Sequence, residues 1–249
     1  VGWIDSLATG KSLGRGDVHR ANYLSAGDDP QPAQTLRPRN QHLGPNLFGL
    51  VPRSIVWLFM RPMFSNWGVQ FVNQGKYLAG NLGGVKKYRQ PHAQFHFLLD
   101  YVPDWKKAYG PGGLIQYQPF IPKETAFDAF SEILTLCKRR GLPNYLTVLK
   151  RHRPDEFLMS YAVDGFSLAM DFRVTDENRQ RLVWLTQELD EIVVQAGGRF
   201  YLAKDSTLRP EIAQAYLGQE RIDQFKALKA RCDPAGMLET DMWRRVFSS

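Results

Sequence analysis

Gly165-Phe166-Ser167-Leu168-Ala169-Met170-Asp171-Phe172 is the stretch on which the reading of the fold turns. A strand sends successive side chains to opposite faces. Leu168, Met170 and Phe172 therefore share one face, and Ser167, Ala169 and Asp171 share the other. Upstream, Leu114-Ile115-Gln116-Tyr117-Gln118 divides the same way, with Gln116 and Gln118 opposite Ile115 and Tyr117. Strands with one apolar and one polar face suit an antiparallel sheet that is covered on one side only.

The neighbouring segments supply the cover. Residues 124–140 repeat Phe127, Phe130, Ile133, Leu134 and Cys137 at helical spacing, and Gly141 ends the run. Residues 176–196 carry Leu182, Leu185, Leu189, Ile192 and Val193 as an apolar stripe, and Gly197-Gly198 ends it. Residues 145–152, 157–162 and 168–174 read as strands, and 199–203 as a short one. The last forty residues read as helices around 209–217, 219–231 and 237–246, broken at Pro234. The expected fold class is α+β: a large, mainly antiparallel sheet with helices on one face, plus a helical C-terminal segment.

Before residue 113 the pattern is looser. Residues 1–6 and about 14–23 read as strands, and 25–48 as a loop rich in Gly, Pro, Asp, Asn and Gln. An aromatic helical region follows, ended by Gly80, Gly83 and Gly84. Residues 85–112, with the turn Tyr109-Gly110-Pro111-Gly112-Gly113, read as a lid-like segment. The chain opens on Val1-Gly2-Trp3-Ile4-Asp5-Ser6, already a strand and with no leader pattern, so it is expected to be a fragment.

Composition narrows the function classes. The 249 residues are 43% hydrophobic and 23% charged, which excludes a disordered or collagen-like chain. Two cysteines, Cys137 and Cys232, are too few for a disulfide framework and point to a reducing compartment such as the cytoplasm. The net charge of +7 fits an anionic partner without naming one. There is no Walker loop, no Gly-x-Gly-x-x-Gly after a strand, no Gly-x-Ser-x-Gly elbow and no zinc spacing. No metal site is expected, and no nucleic-acid partner, since no recognition helix or aromatic-interleaved RNA motif accompanies the basic residues.

Three features could carry chemistry. The polar sheet face is most often a solvated surface; the other use is a pocket whose Gln amides and Asp carboxylate bind sugar hydroxyls. Lys150, in the basic run Lys150-Arg151-His152-Arg153, is by default solvated and could otherwise meet a phosphate. Lys204 stands between a strand end and a helix start, where a cation can reach into an active site, although a plain surface lysine is commoner. The run Ser54-Ile55-Val56-Trp57-Leu58-Phe59-Met60, with Arg53, Arg61, Phe64 and Trp67 around it, is too short to span a bilayer. It reads first as a packed helix and second as a segment lying on a membrane.

Several co-linear motifs resemble FAD-linked oxidases of the vanillyl-alcohol-oxidase type, most of all the decaprenylphosphoryl-β-D-ribose 2-oxidase family. They are Trp3-Ile4-Asp5 with Leu13-Gly14-Arg15-Gly16, Tyr109 to Gln118, Gly165 to Phe172, Gly197-Gly198-Arg199-Phe200-Tyr201-Leu202-Ala203-Lys204-Asp205-Ser206 and Asp241-Met242-Trp243-Arg244-Arg245. The resemblance implies oxidation of a secondary alcohol of a sugar, with FAD bound mainly by an N-terminal domain absent from this chain. It implies a substrate-binding cap over residues 1–197 and a segment 198–249 that packs on that absent domain.

It further implies that Lys204 is catalytic and lies beside the flavin. Trp3, His96, Gln116, Gln118, Lys150, Ser167, Asp171 and Tyr201 would line the substrate site. The chain departs from the family's pattern at His96, His152, Ser167 and Ala169, where the family has Tyr, Phe, Asn and Cys. The implied partners are a sugar or sugar-lipid phosphate, the chain's own FAD domain, a reductase and a peripheral membrane surface. An alditol or aldonolactone FAD oxidase stays open, less favoured without a His-Trp-Gly-Lys signature. A stand-alone ligand-binding module stays open as well.

Overall fold

The computed structural model describes residues 1–41, 43–47, 50–82, 84–97 and 101–248. The chain divides into two compact units, Val1–Gly16 with Leu114–Ser249, and Asp17–Gly113. In chain order the strands are β1 (Gly2–Ile4), β2 (Gly16–Val18), β3 (Asn46–Leu47), β4 (Val51–Pro52), β5 (Leu114–Tyr117), β6 (Pro119–Pro122), β7 (Leu146–His152), β8 (Gly165–Arg173) and β9 (Arg199–Phe200). The α-helices are α1 (Pro32–Thr35), α2 (Pro38–Gln41), α3 (Val56–Met60), α4 (Asn66–Leu82), α5 (His92–His96), α6 (Ala126–Arg139), α7 (Arg179–Gln195), α8 (Pro210–Leu217) and α9 (Gln219–Cys232).

The first unit is built on one antiparallel sheet in the order β2-β1-β7-β8-β6-β9, with β5 also paired to β8. This is the α+β architecture expected from the alternating strands. β5 and β6 run along β8 in one register, Gln116 opposite Asp171 and Phe120 opposite Ser167. They are one strand interrupted at Gln118, whose carbonyl accepts from the Tyr201 amide at 3.3 Å. Pro119, with no N–H to donate, sits where the ladder breaks.

The apolar face carries Tyr117, Ile121, Leu168, Met170 and Phe172, all buried against Ile133, Leu134 and Cys137 of α6 and Leu182, Leu185, Leu189 and Val193 of α7. Burial of such side chains is worth about 1.5–3 kcal/mol each, so this sandwich of helices on sheet holds the unit together. Both helices end the same way. Gly141 and Gly197 adopt positive φ (67° and 71°), and the next amides, Leu142 and Gly198, donate back to the carbonyls of Cys137 (3.0 Å) and Val193 (2.8 Å). That six-to-one bond is the Schellman closure the glycines foretold.

Residues 198–249 lie in this same unit. Leu208, Ile212, Ala213, Leu217, Ile222, Val246 and Phe247 join the core, and Arg245 grips Asp205 at 2.6 Å. The helix expected over 237–246 is confined to the chain end, where Trp243–Phe247 winds as a wider π-turn. Asp233 holds the stretch before it by accepting from the Met237 and Leu238 amides.

Two strand expectations fail. Residues 157–162 form no strand, because β7 pairs directly with β8 from Leu146 opposite Asp171 to His152 opposite Gly165. The intervening chain has no ladder to join, and the Ser160 and Ala162 carbonyls accept instead from Arg199. The strand expected over 14–23 shrinks to β2, three residues.

In the second unit the 25–48 loop contains α1, α2 and β3, which pairs with β4. The aromatic run divides. The 3₁₀ turn Arg53–Ile55 leads into α3, which packs on a second 3₁₀ turn, Trp105–Tyr109. Trp57 lies under the Lys107 ammonium at 5.7 Å, and Phe64 meets the Tyr109 ring edge-on at 4.5 Å. α4 then runs for 17 residues. Gly83, expected to help end it, lies outside the described residues. Among the described residues no helix is long and apolar enough to cross a membrane.

Candidate functional site

Strand register gathers the site. Trp3 lies opposite Val148, Lys150 opposite Ser167, Gln116 opposite Asp171, and Phe120 opposite Arg199. Counting in twos from these pairs puts Trp3, Gln116, Gln118, Phe120, Val148, Lys150, His152, Ser167, Asp171 and Arg199 on the face away from α6 and α7. One sheet face thus collects six of the nine residues named from sequence, with Tyr201 just beyond β9.

This face is not a plain solvated surface. Ser167 is wholly buried, Asp171 is 1% exposed and Gln118 7%. Gln116 Nε2 donates to Asp171 Oδ1 at 2.7 Å. Gln118 Nε2 donates to Ser167 Oγ at 3.1 Å, and Ser167 Oγ lies 2.8 Å from His152 Nε2. Burial, followed by the Lys150 and Arg151 charges, drives the His152 pKa down to about 4, so the ring is neutral at pH 7. Ser167 Oγ accepts from Gln118 and has both a proton and a second lone pair for Nε2, so the ring's tautomer sets the direction of the His152 bond. Gln118 Oε1 is buried with no hydrogen-bond partner, an acceptor whose desolvation a ligand hydroxyl would offset.

Aromatic rings wall one end. Phe120 meets His152 edge-on at 4.6 Å, and its ring lies 4.6 Å from Tyr161. Tyr161 in turn meets Tyr201 at 4.7 Å. Phe120, Tyr161 and Arg199 escape a reading by composition: an apolar ring on a polar face, and a loop tyrosine taken for strand. Strand parity would have found Phe120 and Arg199; nothing local marks Tyr161.

Lys204 ends the 3₁₀ turn Leu202–Lys204, its amide donating to the Tyr201 carbonyl at 2.9 Å. Asp205 beside it is fixed three ways: it accepts from the Thr207 amide (3.0 Å), the Leu208 amide (2.7 Å) and Arg245. The backbone carrying Lys204 is therefore anchored one residue downstream. His96 belongs to the second unit, on α5, stacked on His92 at 4.0 Å. Among the described residues, no group of three or more His, Cys, Asp and Glu could hold a metal ion.

No family model matches the chain. A comparison that runs nearly end to end is with an oxidase. That relative is the decaprenylphosphoryl-beta-D-ribose oxidase of Mycolicibacterium smegmatis, 28% identical over 245 residues, 98% of this chain and 50% of the relative. A stretch of 82 residues is 40% identical to a Streptomyces coelicolor protein named only as an uncharacterized protein in the mprA 5' region, covering 33% of this chain and 20% of that one. The chain spans about half or less of the length of these curated relatives.

Proposed function

We propose that this chain is the substrate-binding portion of a flavin-dependent oxidoreductase that oxidises a secondary alcohol of a sugar, with a polyprenyl-phosphate-linked pentose as the favoured substrate class. The observation that carries the reading is the likeness, along 98% of the chain, to an oxidase named for a decaprenylphosphoryl sugar. The buried polar face supports it. Two amides, a serine hydroxyl, a carboxylate and a lysine are the donor and acceptor set a polyol needs, and one buried acceptor, Gln118 Oε1, is still open.

The residues present suit the substrate more than the cofactor. The sequence has no Gly-rich dinucleotide turn, so FAD would be held mainly by residues outside this chain, with Lys204 as this chain's contact. Bound flavin supplies the hydride acceptor. The sheet residues do the orienting: Gln118 and Asp171 fix ring hydroxyls, Lys150 meets an anionic group, and Tyr201 with Trp3 closes on the apolar side of the sugar. Lys204 holds the reacting hydroxyl or stabilises charge on its oxygen. A reductase partner and a cytoplasmic setting belong to the same proposal.

The test is the intact protein carrying a flavin-binding half. Lys204→Ala should slow anaerobic bleaching of the flavin by substrate about 100-fold or more. Bleaching at the native rate would remove Lys204 from the chemistry. A substrate screen that finds alditols or aldonolactones preferred over phosphate-linked sugars would assign the chain to that other oxidase class.

A further inference from the structure

Charge is divided unevenly between the two units. Residues 17–113 hold eleven Lys and Arg against five Asp and no Glu, a net +6. The remaining 152 residues hold 21 basic against 20 acidic side chains. Within the second unit the imbalance is sharper still: from Pro30 to Leu99 there is no acidic residue, and eight Lys and Arg.

The same stretch exposes its apolar side chains. On α4, Trp67, Phe71, Leu78 and Leu82 follow at spacings of four, seven and four, which confines them to an arc of roughly 60°. They are 70%, 66%, 50% and 89% exposed, whereas Val69 and Asn73, on another side of the helix, are buried. Trp67 and Phe71 stack with ring centroids 6.0 Å apart. Leu58 and Phe59 of α3 are exposed too. Arg61 precedes α4, and Lys86, Lys87 and Arg89 follow it, all exposed.

We infer that the second unit docks on an anionic lipid bilayer, with the Trp67–Phe71–Leu78–Leu82 face of α4 lying in the interface. An aromatic and leucine stripe ringed by cations is what an in-plane helix presents to acyl chains and headgroups. Each Lys or Arg near an anionic leaflet adds to the attraction, and acids would cancel that gain. A protein partner would not require seventy residues free of carboxylates, and charge complementarity therefore selects the lipid surface. The inference uses only the second unit and stands whether or not the first unit serves an oxidase.

The test is flotation of the 249-residue chain with vesicles of phosphatidylcholine alone and of phosphatidylcholine with phosphatidylglycerol. Binding is expected to the anionic vesicles, weakened at least tenfold by high salt and at least tenfold in a Trp67→Ser, Phe71→Ser variant. Both side chains are exposed, so the variant should keep its circular dichroism and melting behaviour. As a second measurement, brominated lipid should quench the native chain more than Trp67→Phe. Absence of binding to anionic vesicles would overturn the inference, as would equal binding to neutral ones or undiminished binding by the variant. Self-association of the native chain that the variant abolishes would overturn it as well, by making the face a contact between copies.

Discussion

His152 Nε2 and Ser167 Oγ lie 2.8 Å apart, joining the end of one central strand to its neighbour two residues from that strand's start. Gln118 completes the chain from a third strand. Since burial holds the His152 pKa at about 4 against an ordinary 6.5, the folded state resists protonating this ring. Above pH 6.5 the ring is neutral in both states and contributes no pH dependence. As pH falls below 6.5 the unfolded chain takes up the proton first, and stability declines until the folded ring titrates near pH 4. His152→Phe should remove that part of the slope in urea denaturation between pH 4 and 6.5. An NMR titration of the native ring should show its midpoint near 4; a midpoint near 6.5 would contradict the buried, neutral ring.

Ser167→Ala strands both the Gln118 amide and His152. Its expected cost is about 1–3 kcal/mol in the same urea measurement. A neutral result would mean that water or a rotated amide replaces the hydroxyl without loss.

Across the sheet, Tyr117 donates to Asp190 Oδ1 at 2.9 Å, while Asp190 Oδ2 is buried without a partner. Burial pushes the Asp190 pKa up to about 7. The folded state therefore favours the protonated acid, and this contribution to stability is present below pH 4 and lost as pH rises through 7. Asp190→Asn keeps the acceptor and removes the titration. The difference in stability between pH 5 and pH 8 should shrink in this variant relative to the native chain; an unchanged difference would place the titration elsewhere.

The two glycines that end α7 should differ. Gly197→Ala forces a side chain into positive φ at an open position, at a cost of about 1 kcal/mol. Gly198→Ala would set a Cβ 2.8 Å from the Val193 carbonyl oxygen and 2.9 Å from that of Phe120. Backbone on both sides cannot yield cheaply, and the loss should be larger, about 3 kcal/mol. Thermal denaturation of the pair gives the order, and a reversed order would disprove the close approach.

Leu189 is wholly buried between α7 and the sheet, and Leu189→Ala should cost about 2–5 kcal/mol. Phe71→Ala removes a larger side chain from an exposed helix face and should change stability by no more than about 0.5 kcal/mol. Parallel denaturant titrations check both, and a large loss at Phe71 would mean that α4 packs that face within the fold.

Much of this was legible along the chain. The period of two in residues 165–172 and 114–118 already assigned Leu168, Met170 and Phe172 to the core and Gln116, Gln118, Ser167 and Asp171 to one polar face. The period of 3.6 assigned α6 and α7 to cover the core side, and the glycines after them marked both closures. Local rules suffice there because alternation and helical repeat depend only on neighbouring backbone geometry. They misled at 157–162, which joins no ladder because β7 and β8 on either side of it pair directly with each other, and at 14–23, where pairing ends after three residues.

The sequence by itself determined which side chains point the same way within each strand and helix, and which stretch of the chain is devoid of acids. Only the tertiary structure decided which strands are neighbours. That choice brings Ser167 between Gln118 and His152, buries Gln118 Oε1 unpaired, and gathers the rings of Phe120, Tyr161 and Tyr201 into one wall. It also leaves Trp67, which follows the run read first as a packed helix, exposed together with Phe71. The reason is physical: pairing and burial are settled by contacts between residues far apart in sequence, through competition among faces for the same core, and no local pattern carries the outcome of that competition.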